Sequence, residues 1–133
     1  MRRLLLLMFV CAGILFAASL SAENWSGDFT VEDPSGIALG EWRGVIFPFS
    51  SANDPTNIRG EWAIHNIRGT FDGVVEADNV IRRYAEGDIY DEHGTVIGRW
   101  RGYFPPSTID AQARGTWILF NEQYDGRWVG ERQ

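Results

Sequence analysis

Gly40-Glu41-Trp42-Arg43-Gly44, echoed by Gly98-Arg99-Trp100-Arg101-Gly102, alternates a glycine or a tryptophan with a charged residue at every step. Residues two apart share one face of a pleated strand, and the residue between them faces the other way. Both stretches therefore predict strands with one glycine and tryptophan face and one charged face. Moving outward, the couplet of glycine, any residue and a large apolar residue occurs at Gly27-x-Phe29, Gly40-x-Trp42, Gly60-x-Trp62, Gly69-x-Phe71, Gly87-x-Ile89, Gly98-x-Trp100, Gly115-x-Trp117 and Gly126-x-Trp128. Each marks a strand in an all-β chain.

The marks recur in order. Gly27-Asp28-Phe29, Gly40 to Gly44 and Phe47-Pro48 read again as Gly87-Asp88-Ile89, Gly98 to Gly102 and Phe104-Pro105. Arg59-Gly60-Glu61-Trp62 returns as Arg114-Gly115-Thr116-Trp117, and Gly69 to Gly73 returns as Gly126 to Gly130. The offset stays between about 55 and 60 residues, which chance similarity explains poorly. The reading is two copies of one four-stranded unit, about 24–76 and 84–132. In the first copy the strands are expected near Trp25–Glu32, Ile37–Phe47, Ile58–Ile64 and Arg68–Glu76. In the second they are expected near Tyr84–Asp91, Thr95–Phe104, Ala111–Leu119 and Gln123–Glu131. Tight turns are expected at Asp33 to Gly36, His65-Asn66, Glu92 to Gly94 and Asn121-Glu122, with proline-bearing loops at 50–57 and 105–110. The linker Glu76 to Arg83 has no assignment.

Trp42, Trp62, Phe71, Trp100, Trp117 and Trp128 fall on the glycine face, and Glu41, Arg43, Glu61, Asp72, Arg99, Arg101 and Arg127 on the other. Glycine weakens a strand interior, so its repetition needs a packing reason. Beside a residue with no side chain, a neighbouring strand's indole can lie flat against the backbone. Eight antiparallel strands with one apolar face predict an eight-stranded barrel built from two duplicated four-stranded units. The alternative is a two-sheet β-sandwich, and a flat or twisted repeat array is a third solution.

Met1, Arg2 and Arg3, the apolar run Leu4 to Ala18 and the small residues Ser19 to Ala22 read as a secretory signal peptide over 1–22. An uncleaved anchor is the alternative. The domain is then 23–133. Cys11, inside the leader, is the only cysteine, so the mature domain is expected to be stable without a disulfide. Without Arg2 and Arg3, ten arginines face eighteen acids, a net charge of −8. That balance argues against nucleic acid and against an anionic membrane surface. Every basic residue is arginine and none is lysine. A GC-rich genome explains this without functional content, and adaptation to high salt or heat is the alternative.

Motifs for chemistry are absent. Two histidines and no cysteine in the mature chain leave no nucleophilic triad, and no glycine-rich phosphate loop precedes a helix. No enzyme activity and no cofactor are expected. The acids of the first hairpin of each copy, Asp28, Glu32 and Asp33 and then Asp88, Asp91 and Glu92 beside His93, are the candidates for a calcium-type site. Acids at such places also simply make good turns. For ligand binding the candidates are the aromatics off the glycine face, Tyr84, Tyr90, Tyr103 and Phe120, because a large outward ring implies a partner surface. The tryptophans are read as core. Asn24-Trp25-Ser26 fits an N-glycosylation acceptor.

The Gly-x-Trp strand opening is similar to that of avidins and lipocalins near their first strand, and Tyr124-x-Gly126-x-Trp128-x-Gly130 resembles a fragment of a MORN repeat. Each resemblance is confined to those residues, and no family follows. The expected function is a secreted, non-catalytic binding module for a carbohydrate, a small apolar ligand or a cell-surface partner. Its rival is a structural or self-assembling envelope or matrix protein. A closed barrel with an aromatic-lined mouth favours the first, and unpaired edge strands favour the second.

Overall fold

The computed structural model describes residues 22–33, 36–48, 50–120 and 124–133. The expected leader, with Cys11, lies outside them except for Ala22. So do Pro34, Ser35 and the expected turn at Asn121-Glu122. Eight strands follow one another: β1 (Glu23–Asp33), β2 (Gly36–Ile46), β3 (Ile58–Ile64), β4 (Ile67–Asn79), β5 (Arg82–Tyr90), β6 (Val96–Phe104), β7 (Ala113–Leu119) and β8 (Asp125–Arg132). Each pairs antiparallel with the next, and β8 closes on β1 through Trp25↔Arg132, Gly27↔Gly130 and Phe29↔Trp128. The protein is a closed eight-stranded barrel, and the sandwich is excluded. Closure leaves no unpaired sheet edge.

The unassigned linker is a hairpin. β4 runs on to Asn79 and β5 starts at Arg82, so Val80 and Ile81 make the turn. Asn79 Oδ1 accepts from the Ile81 N–H at 2.9 Å and fixes that turn locally. In the other direction β7 starts at Ala113, two residues later than expected. The preceding loop makes its own turn there, with Ile109 N–H donating to the Pro106 carbonyl at 3.0 Å.

Pairing register repeats between the halves. Gly27↔Trp42 corresponds to Gly87↔Trp100, Trp42↔Trp62 to Trp100↔Trp117, and Trp62↔Gly69 to Trp117↔Gly126. A glycine therefore repeatedly faces an aromatic across the strand pair. The close approach is tight: a Cβ at Gly102 would meet the Trp128 ring and the Arg114 carbonyl, and one at Gly130 would meet the Trp42 ring. Five interior indoles use that approach to reach backbone on another strand. Trp42 donates to Val129 O at 2.9 Å, Trp62 to Tyr90 O at 3.1 Å, Trp100 to Asp72 O at 3.0 Å, Trp117 to Thr30 O at 3.0 Å and Trp128 to Arg101 O at 3.1 Å. Burying an indole N–H without a partner costs about 1–3 kcal/mol, so these bonds let the rings face inward at little polar cost. The charged rows, including Glu41, Arg43, Glu61, Arg99, Arg101 and Arg127, are exposed on the outside.

Candidate functional site: an apolar chamber open at one end

The β1–β2, β3–β4, β5–β6 and β7–β8 turns lie at one end of the barrel. Both ends of the domain, the β4–β5 turn and the longer connections before β3 and β7 lie at the other. This second end is a floor. Trp25, Ile58 and Phe104 are fully buried there, and the Trp25 and Phe104 rings meet edge to face with centroids 5.1 Å apart. Glu23 binds Arg83 at 2.8 Å, and Arg132 lies 3.6 Å from the same carboxylate while its guanidinium stacks over Trp25 at 4.8 Å. Arg83 also donates to Pro105 O at 2.7 Å, and Arg132 to Pro106 O at 2.9 Å and Ile109 O at 3.0 Å. Two arginines thus strap the β6–β7 loop across the barrel bottom. Burial pushes the Glu23 carboxyl pKa up, but hydrogen bonds from Arg83 and Trp25 and the two arginine charges outweigh it and hold the pKa below the usual value.

Above the floor four rings close a circle. Trp42, Phe71, Trp100 and Trp128 contact one another in turn, edge to face, with centroids 5.5–5.9 Å apart. Such pairs contribute about 0.5–1.5 kcal/mol each beyond their buried area. Phe29, Trp62, Ile89 and Trp117 stand nearer the mouth, where Val31, Ile64, Ile67, Ile97, Leu119 and Tyr124 continue the lining. Within these walls is a chamber of about 400 Å³. Among the described residues that line it there is no acid and no arginine, and His65 is the single imidazole. His65 sits in the β3–β4 turn with φ 53°, a left-handed conformation uncommon for a residue with a side chain.

The walls offer rings and methyl groups, and the indole donors are already occupied by backbone carbonyls. A ligand rich in hydroxyls would lose its water and gain few hydrogen bonds here. An apolar ligand loses nothing comparable.

No family model, curated protein or solved structure matches this chain. What the site can do therefore rests on its own chemistry.

The residues singled out from sequence lie elsewhere. Tyr84 and Tyr103 are cross-strand partners on the outside, 5.6 Å apart, with the Arg82 guanidinium 4.3 Å above the Tyr103 ring. Tyr90 is outside near the mouth, and its hydroxyl donates to the Asp72 carboxylate at 3.0 Å. Burial first, and the bond to Asp72 second, push the Tyr90 pKa up. Phe120 is half exposed at the end of β7. Only Tyr84 and Tyr103 come together.

Asp88, Asp91 and Glu92 do not converge. Asp91 accepts the His93 and Thr95 N–H groups at 2.8 and 3.0 Å, which fixes the β5–β6 turn and lowers its pKa. Asp88 faces Arg99 at 4.0 Å, and Glu92 lies 3.8 Å from His93. Among the described residues no three acids, histidines or cysteines are grouped to hold a metal. From sequence the tryptophans that wall the chamber read as core, so the site residues expected there are the outward aromatics. The tryptophans are core at their backs and wall at their faces, and period-two spacing gives both uses the same pattern.

Proposed function

We propose that the protein is a non-catalytic binding module, exported by its leader, that holds a small apolar ligand inside the barrel. One observation carries this reading: a chamber of about 400 Å³, walled by aromatic and aliphatic side chains, opens at one end of an otherwise sealed barrel. That volume is more than twice the ~150 Å³ void that admits benzene in an engineered protein core. Of the three partner classes consistent with the sequence, carbohydrate is the least suited, because the walls carry almost no free hydrogen-bonding group. The edge-free closure of the sheet supports a carrier over a self-assembling matrix protein. The charged outer rows support an aqueous exterior, since a membrane barrel carries an apolar band outside.

Titrating the protein with small apolar compounds should change the tryptophan emission saturably. The melting temperature should rise with it, because a ligand that binds only the folded state at a hundred times its Kd adds about 2.7 kcal/mol. A panel that includes simple sugars but shows no saturable response to any apolar compound would sink the proposal.

A further inference from the structure

Resting on that apolar-ligand reading, we infer that the ligand is a single-headed amphiphile, which lays its apolar body in the chamber and keeps one uncharged hydroxyl at the mouth beside His65 and Tyr124. The chamber is open at one end only, and its polar side chains enter at that same end. Its inner end is the circle of Trp42, Phe71, Trp100 and Trp128. All five indoles of the lining donate their N–H to backbone carbonyls, so these walls have no side-chain donor left for a guest. A polar group driven to that depth loses its water and finds no partner.

Besides those indoles, His65 and Tyr124 are the lining side chains that carry a polar group, among the described residues. His65 is exposed in the two-residue β3–β4 turn, and Tyr124 stands immediately before β8, half-buried against the core. In a closed order of eight strands these two places lie on opposite sides of the mouth. An imidazole and a phenol can each donate or accept, which suits a hydroxyl that does both.

Charge at the rim narrows the head further. In the mouth turns and the two strand residues flanking each, the described side chains include the acids Glu32, Asp91, Glu92 and Asp125 against a single arginine, Arg68. Glu32 and Asp125 are direct cross-strand partners at the β1–β8 seam, a juxtaposition of like charges that another anion would worsen. A carboxylate head would also meet no arginine in the lining. The head is therefore uncharged. From Phe71 in the circle to Ile67 at the rim the depth is roughly 10 Å, taking about 3.3 Å per residue of β4 and a strand tilt of about 40°.

Calorimetric titration of the mature protein with 1-octanol, 1,8-octanediol, octanoate and toluene tests this. The three octyl compounds share a chain about as long as the chamber is deep and differ in their polar ends, while toluene has no head. Near neutral pH 1-octanol should bind about tenfold more tightly than the diol, whose second hydroxyl is buried without a partner, and about tenfold more tightly than octanoate. His65→Gly combined with Tyr124→Phe keeps the left-handed turn and the phenyl ring while removing both polar groups. That double variant should bind 1-octanol about tenfold more weakly and toluene as before. If it does not fold, Tyr124→Phe alone should weaken 1-octanol about threefold, again with toluene unchanged. The diol or octanoate binding as tightly as 1-octanol, or variants that leave 1-octanol unaffected or weaken it and toluene alike, overturns the uncharged head at the mouth while leaving an apolar-ligand barrel. Failure of both 1-octanol and toluene to bind the parent protein overturns the barrel's proposed function as well.

Discussion

At the end of the barrel where the domain begins and finishes, Trp25, Ile58 and Phe104 are sealed. At the mouth Ile37, Leu39, Ile67 and Phe120 leave half or more of their surface in solvent, whereas the exposed pair at the sealed end, Val80 and Ile81, is confined to the short β4–β5 turn. The same strands supply both ends, so the difference comes from the connections. The β2–β3 and β6–β7 segments are long enough to fold inward and be tied down: Asn57 both donates to Val75 O at 2.9 Å and accepts from Val75 N–H at 2.7 Å, while Arg83 and Arg132 hold Pro105 and Pro106. The β3–β4 turn at the mouth has only His65 and Asn66 between its strands. A two-residue turn ends at the rim and cannot cross the opening. Stability is therefore concentrated at the floor, and access at the mouth.

The strongest test of that division is Trp25→Ala. Removing a fully buried indole from the floor should cost about 4 kcal/mol, whereas Leu39→Ser at the exposed mouth should change stability by no more than about 0.5 kcal/mol. Urea denaturation of the two variants measures both. Similar costs at the two sites would break the distinction between the ends.

Crowding should differ in the same direction. Gly102, in the packed interior, has the Trp128 ring, the Arg114 carbonyl and the Gly115 backbone where a Cβ would go, while Gly94, in the β5–β6 turn at the mouth, has nothing within 4 Å. Gly102→Ala should cost about 3 kcal/mol by overpacking. Gly94→Ala should cost only about 1 kcal/mol, from its φ of +83°. Thermal melts that ranked Gly94→Ala as the worse variant would show backbone conformation outweighing crowding.

Much of this contrast was legible in the sequence, but unevenly. The strands and their faces followed from the glycine and tryptophan spacing, because a period of two has one structural meaning over such lengths. Closure was favoured without being decided, since the pairing of Phe29 with Trp128 joins residues a whole domain apart. The floor was least legible. Glu23, Arg83 and Arg132 lie at opposite ends of the domain and in its middle, and no local pattern marks three charges that meet only on closure.

Glu23 gives the smallest of the three expected effects and the one that carries a pH signature. Its side chain is about one-fifth exposed, so its pair with Arg83 is partly screened, and Glu23→Gln should cost about 1–2 kcal/mol near neutral pH. Because the folded protein holds the Glu23 pKa below the ordinary glutamate value, the ionised carboxylate stabilises the fold at pH values above the pKa of the unfolded chain. That contribution is lost as pH falls through the lowered, folded-state pKa, where the parent protein's own Glu23 becomes protonated and resembles glutamine. Denaturation of both proteins from pH 7 downward should therefore show two curves that converge on the acid side of the ordinary glutamate pKa. A gap of constant size would mean that Glu23 holds the arginines by shape and hydrogen bonding, with its charge contributing nothing to the floor.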